Sequence, residues 1–304
     1  MMFDDRENDG EAVEIELKWG TDIKQTAQFV AALNRRAEDH VGYCPLDFRE
    51  IERDLLSGFS DFPLSDSLAI AYVDNEMAGV LGLDIEADTR EAEIWGPFIR
   101  HSSWQRVAFE LWNGLAKKNR SIVKRLNGFY HRRNHRCLQF MTMLGGEVKG
   151  RHTVLSILRS EFMAPSHSDL QEVPKKCYES FISLHNQSFP YSYFDGEEIV
   201  RRLNERNKLF GFVEGGELKG YVYVEGDPVF GKGSIEYAAV APESRNRGIG
   251  SLLIRQGIEF LFASEGVQSI QLCVSIENKK ALKLYKSVGF KEKQRLVHFV
   301  LDKW

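Results

Sequence analysis

Ala238-Ala239-Val240-Ala241-Pro242-Glu243-Ser244-Arg245-Asn246-Arg247-Gly248-Ile249-Gly250-Ser251 is the stretch whose reading decides the fold. Before it, Ser234–Val240 reads as a strand that stops at Ala241-Pro242. After it, Ile254, Ile258 and Leu261 recur at helical spacing to about Ala263. Two glycines thus sit where a strand and loop give way to a helix. Backbone amides at a helix start point outward, and the helix dipole favours an anion there. Gly248 and Gly250 permit close approach, and Arg245 and Arg247 add positive charge suited to a pyrophosphate. The same residues are also common in surface turns. A dinucleotide fingerprint fits less well, because Leu253 stands where a third glycine belongs. A Walker-type loop needs a Gly-Lys-Ser/Thr ending, and Gly250 is followed by Ser251-Leu252.

Working outward, Leu209–Glu214 and Leu218–Glu225 form a hairpin around Gly215-Gly216-Glu217. Ser269–Ile276 alternates, with Ile270, Leu272, Val274 and Ile276 on one face. A short helix follows from Asn278, as N-cap, to Gly289, as its stop, and Arg295–Leu301 is a last strand. The first half carries the same series. It has a hairpin Leu68–Val73 and Met77–Leu83, a strand Ala92–Phe98, a helix over roughly Ser103–Lys118 and a strand Leu126–His131. Then come a helix Asn134–Leu144 stopped by Gly145-Gly146 and a strand Thr153–Leu158. Gly79 and Gly220 are 141 residues apart, while Asn134 and Asn278, like Gly145 and Gly289, are 144 apart. Two copies of one domain explain this order. The expected division is a first copy over 1–160, a polar linker over 161–176 containing Pro165 and Pro174, and a second copy over 177–304.

A chain of 304 residues has room for two such cores. With 43% hydrophobic and 28% charged residues it reads as globular, and no apolar run approaches the roughly 20 residues of a membrane helix. The first 16 residues hold seven acids and one base, a poor fit to a signal or transit peptide, so the expected compartment is the cytosol. A net charge of −4 argues against non-specific nucleic-acid binding. Cys44, Cys137, Cys177 and Cys273 are far apart with no CxxC pair, which argues against a zinc site; no metal is expected. Cys137 and Cys273 fall in apolar patterns and read as buried.

The strand ending in Ala238-Ala239-Val240, the Arg-x-x-Gly-x-Gly loop opening a helix, and the later Asn278-Lys279-Lys280-Ala281-Leu282-Lys283-Leu284-Tyr285 before Gly289-Phe290 resemble the GNAT acetyltransferase superfamily. The resemblance covers about 120 residues. It implies an α/β (α+β) fold of two tandem GNAT-like domains, each a mixed, mostly antiparallel sheet flanked by helices. It also implies acetyl transfer from acetyl-CoA to a small amine, directly in a ternary complex. By that resemblance the loop Arg245–Gly250, with the amides of Arg247–Ser251, holds the CoA pyrophosphate. The main chain of Ala238 and Val240 pairs with the pantetheine arm, Asn278 contacts the arm, and Lys280 reaches a CoA phosphate or is simply solvated.

Tyr285 matches the family's general acid. A thiol of pKa about 8.5 leaves poorly unless a donor meets its charge, and a phenol near 10 can donate. Spacing alone also permits a core role, because Ala281, Tyr285 and Val288 share a helix face. Glu236, read as sharing a face with Ala238 and Val240, is either the base for the nucleophile or an ordinary strand glutamate. Relatives such as mycothiol synthase place an acid two residues earlier, where this chain has Ser234. In the first copy the loop segment reads Ile99-Arg100-His101-Ser102-Ser103-Trp104-Gln105-Arg106, without glycine, and Met141 stands opposite Tyr285. That copy is expected to lack a CoA site and not to catalyse. The basic run His131–Arg136 suits either an acidic group or a solvated loop. Other classes sharing these features are an acyl-CoA sensor without turnover and an aminoacyl transferase using charged tRNA.

Overall fold

The computed structural model describes residues 14–162, 170–190, 192–302 and 304. The chain forms two compact units, one made of the described residues to Gly150 with Leu296–Trp304, the other of Arg151–Arg295.

In the first unit, β1 (Glu16–Trp19), α1 (Ile23–Asn34), α2 (Phe48–Leu56) and the single turn α3 (Leu64–Ser67) precede the hairpin β2 (Leu68–Val73) and β3 (Glu76–Glu86). Then come β4 (Glu91–Ile99), α4 (Trp104–Asn119), β5 (Arg125–His131), α5 (His135–Met143) and the start of β6 (Glu147–Leu158). Asp74 and Asn75, both at positive φ, make the hairpin turn. The sheet runs β1-β2-β3-β4-β5, and β5 is flanked in turn by Leu296–Leu301 from the end of the chain. β4 and β5 pair in parallel. Val107, Leu111 and Leu115, four apart on α4, and Ala108, three before Leu111, are fully buried in this unit's core.

The second unit begins with Arg151–Leu158 of β6, then β7 (Gln171–Glu172), α6 (Tyr178–Ser188), α7 (Gly196–Arg202), β8 (Asn207–Glu214), β9 (Glu217–Asp227) and β10 (Lys232–Val240). It continues through α8 (Ile249–Ala263), β11 (Ser269–Ser275), α9 (Lys279–Val288) and the first residues of β12 (Lys291–Leu301). Its sheet runs from the β6 segment through β11, β10, β9 and β8 to β7, with β10 and β11 paired in parallel. One face carries Leu253, Ile254 and Ile258 of α8 over Val222 and Val224. The other carries Phe181 and Ile199 of α6 and α7 over Tyr221 and Tyr223.

The same series of strands and helices, with the parallel pair at the same place, occurs in both units, as the repeat requires. The units do not divide at 161–176. They divide at Gly150 and again after Arg295, because each copy's last strand pairs outside its own stretch of sequence. His152–Leu158 pairs with β11, and Leu296–Leu301 pairs with β5. Of the expected linker, 163–169 lies outside the described residues, while Gln171–Glu172 joins the edge of β8. The acidic start lies outside them as far as residue 13. Among the described residues no helix is long and apolar enough to cross a membrane.

Candidate active site

β10 and β11 pair only from Lys232 to Ser234 against Ser269 to Gln271, and part beyond it. β10 stays paired with β9 as far as Val240. Alternate residues of an antiparallel strand turn both backbone groups to the same neighbour. The amide of Ala241 donates to the Lys219 carbonyl (2.9 Å), which puts Tyr237, Ala239 and Ala241 on the β9 side. The backbone groups of Ala238 and Val240 therefore face the gap left by β11. Arg245 Nε takes the Val240 carbonyl at 3.0 Å.

The gap leads to the start of α8. Gly248 caps the helix at φ 81°, a left-handed conformation that disfavours side chains, and among the described residues nothing lies within 4 Å of where a Cβ would stand. Helix starts leave their first amides without intrahelical partners, and pairing resumes here at Ser251 and Leu252, both donating to the Gly248 carbonyl. Two details depart from the sequence reading. A Cβ on Gly250 points at Leu284 of α9 (3.3 Å to Cδ1), so this glycine serves the packing of α8 on α9 as well as the loop. Arg247 is paired with Glu214 through two hydrogen bonds of 2.9 and 2.7 Å, so its charge is offset. Asn246 is also left-handed, at φ 63°, while Ile249 is buried beneath the loop.

Asn278 caps α9, its Oδ1 accepting from the Ala281 amide at 3.1 Å, and Gly289 ends the helix at φ 113°. Lys280 is exposed on the first turn. Tyr285 packs at the margin of the α8 core, edge-on to Phe290. Burial alone pushes its phenol up to about 12, with no charged neighbour or hydrogen bond contributing.

Glu236 requires a correction. β10 bulges between Ile235 and Tyr237, so the alternation of faces shifts by one residue. Ile235, Ala238 and Val240 pack with the α8 core, whereas Tyr237 and Ala239 pack with α6 and α7. Glu236 is the bulged residue, away from the face of Ala238 and Val240, with Ser234, Glu225 and Arg202 for electrostatic neighbours. Solvent reaches it, yet crowding raises its carboxyl, helped by Glu225 and opposed by a hydrogen bond to Ser234 and by the charge of Arg202. A carboxylate raised toward neutrality is a competent proton acceptor.

Beside it stands a wall that the sequence reading missed. His185, fully buried on α6, accepts from the Tyr221 hydroxyl through Nδ1 (2.6 Å) and donates from Nε2 to the Phe194 carbonyl (2.9 Å). The carbonyl can only accept, which puts a proton on Nε2; burial lowers the pKa of the ring and so favours its neutral form. The Phe194 amide leans toward the Tyr237 hydroxyl at 3.4 Å, fastening the α6–α7 connection beside the bulge. Phe181, His185 and Phe189, four residues apart, were the available signal. Tyr223 donates to Glu225 (2.6 Å), which also pairs with Arg202.

The first unit is different at each counterpart. His101 Nδ1 accepts from the Ser103 amide, Trp104 is buried where the loop enters α4, and Met141 is fully buried. In the basic run, Arg133 pairs with Glu38 and Asn134 caps α5. Cys137 is buried, as read, while Cys273 is half-buried.

Residues 178–290 match the Acetyltransferase (GNAT) family. Mycothiol acetyltransferase of Tsukamurella paurometabola is 36% identical over 85 residues, which span 28% of this chain and 29% of that protein. Among solved structures, a GCN5-related N-acetyltransferase from Sphaerobacter thermophilus is similar with a TM-score of 0.75 at 17% identity, over 95% of each chain. A tandem GNAT protein from the clavulanic acid biosynthesis pathway matches with a TM-score of 0.68 at 16% identity, over 96% of this chain and 98% of that one. At such identities the likeness is one of fold.

Proposed function

Because residues 178–290 match the Acetyltransferase (GNAT) family, we propose that the second unit carries an acetyl group from acetyl-CoA directly to a small amine. The observation that carries this reading is the gap beyond Ser234, edged by the backbone of Ala238 and Val240 and ending at the open amides that start α8. Acetyl-CoA, when bound, supplies a thioester and a thiolate leaving group. The amides of Arg247–Gly250 hold its pyrophosphate beside Ser251, whose own amide donates to the Gly248 carbonyl; Arg245 and Lys280 are nearby, and Ala238, Val240 and Asn278 line the arm. Glu236 accepts the proton of the amine, directly or through water. Tyr285, protonated throughout the neutral range, donates to the departing sulfur. The acceptor approaches on the side of Tyr237 and the α6–α7 connection, and the first unit is a non-catalytic copy.

Calorimetric titration with CoA, followed by an amine screen with thiol release as readout, tests the reading. One site per chain and turnover with at least one amine are expected. Two equivalent sites refute the assignment to one unit. Tight binding with no turnover across all amines replaces the enzyme by an acyl-CoA sensor.

A further inference from the structure

In the first unit, β4 and β5 part as β10 and β11 do. Their pairing is confined to Glu91–Glu93 against Arg125–Asn127. The far edge of β5 is covered from Leu126 to His131 by Leu296–Leu301, so any other partner of Phe129–His131 must lie on the β4 side, inside the gap. That partner is a stretch of the chain itself. The Gly42 amide donates to the Phe129 carbonyl (2.7 Å), the His131 amide donates to the His40 carbonyl (3.0 Å), and Val41 stands opposite Tyr130.

The stretch is held as firmly as a strand. Asn34, 1% exposed, accepts from the Val41 amide at 2.8 Å and donates to the Cys44 carbonyl at 2.8 Å. Nδ1 of His40 donates to the Asn34 carbonyl at 2.8 Å. Asn134, the counterpart of Asn278, gives its Nδ2 to the His40 carbonyl at 3.3 Å. Pro97, the counterpart of Ala238, has no amide to offer, and its carbonyl accepts from Cys137 Sγ at 3.5 Å. The two edges correspond closely, because the Arg100 amide bonds Ala78 as that of Ala241 bonds Lys219. Asp39, at the end of the stretch, pairs with Arg36 at 3.1 Å and lies within electrostatic reach of Arg100, just beyond β4, and of Arg136, on the first turn of α5.

We propose that the first unit is self-liganded: Asp39–Gly42 occupies between β4 and β5 the place that the CoA arm takes between β10 and β11, and so closes this unit to CoA. The analogy rests on the CoA reading of the second unit; the occupancy does not. Amide hydrogen exchange on the full chain, with and without CoA, separates the two. Without CoA, Gly42 and His131 should exchange at least 100-fold more slowly than an unstructured peptide, and CoA should leave them unchanged while slowing Ala238–Ser251. Asn34→Ala, which removes the buckle, should speed exchange of Gly42 and His131 at least tenfold and leave the CoA Kd unaltered. Should the variant fail to fold, the wild-type measurement still decides. Unprotected Gly42 and His131 without CoA, or protection there that grows with CoA, overturns the proposal. No change at Ala238–Ser251 refutes instead the CoA reading of the second unit.

Discussion

Replacing Tyr285 by Phe removes one oxygen and little else. The ring keeps its edge-on contact with Phe290 and its place beside the α8 core. Among the described residues the phenol has no hydrogen-bond partner or charge to orphan, so stability should change by about 0.5 kcal/mol or less. The kinetic effect should be far larger. A positioned acid contributes roughly 10²–10⁴ in rate, or about 3–5 kcal/mol of transition-state stabilisation. With the phenol pushed up to about 12, only about one molecule in a thousand is ionised at pH 9. The wild-type kcat should therefore show no alkaline fall below about pH 11. The assay is thiol release at saturating acetyl-CoA and amine, across pH, with CoA affinity measured separately. Wild-type kcat in Tyr285→Phe, with unchanged CoA binding, removes Tyr285 from the chemistry.

Gly250→Val should loosen α8 from α9 by about 1–3 kcal/mol, because its branches run into Leu284; a melting point equal to wild type contradicts the packing role. His185→Ala should lower stability by about 2–4 kcal/mol, since Tyr221 and the Phe194 carbonyl lose their buried partner, and should raise the amine KM more than the CoA Kd. An unchanged amine KM would place the acceptor away from that wall. Asp84, opposite Glu93 on β3 and β4, is pushed up to about 7 by burial and by neighbouring acids. Folding thus favours its protonated form, a contribution present below about pH 4 and lost as pH rises to 7. Asp84→Asn should accordingly stabilise the protein by roughly 1 kcal/mol or more at pH 8 and hardly at all at pH 4, read as melting temperature against pH.

Local patterns carried most of the second unit in the sequence. The alternation from Ser269, the Asn278 cap and the Gly289 stop each act within a few residues, and each is found as read. Glu236 was placed on the wrong face because an unbroken period of two contains no bulge, and nothing local announces the one after Ile235. The partners of Arg247 and Gly250 lie more than 30 residues away, at Glu214 and Leu284, beyond what spacing can express. The helices α1 and α2, like α6 and α7 in the second unit, precede the hairpins at which the repeat becomes legible, and neither they nor the polar links of Asn34 carry a local signal that reveals them. The exchange of last strands was hidden for a deeper reason, since a strand's sequence specifies its two faces but not which edge it joins.

That exchange has a consequence for anyone who would cut the protein in two. A gene fragment starting at 177 would encode every residue proposed for catalysis and still lack His152–Leu158, the strand that covers β11. It would also carry Leu296–Leu301 with no β5 to join. Two bare edges on one small protein invite self-association, so such a fragment is a better candidate for inclusion bodies than for kinetics. A sound excision runs from Arg151 to Arg295, out of step with the repeat. Recombination obeys the same arithmetic: neither copy, traded whole along the lines of its ancestry, arrives in a new chain with its sheet complete.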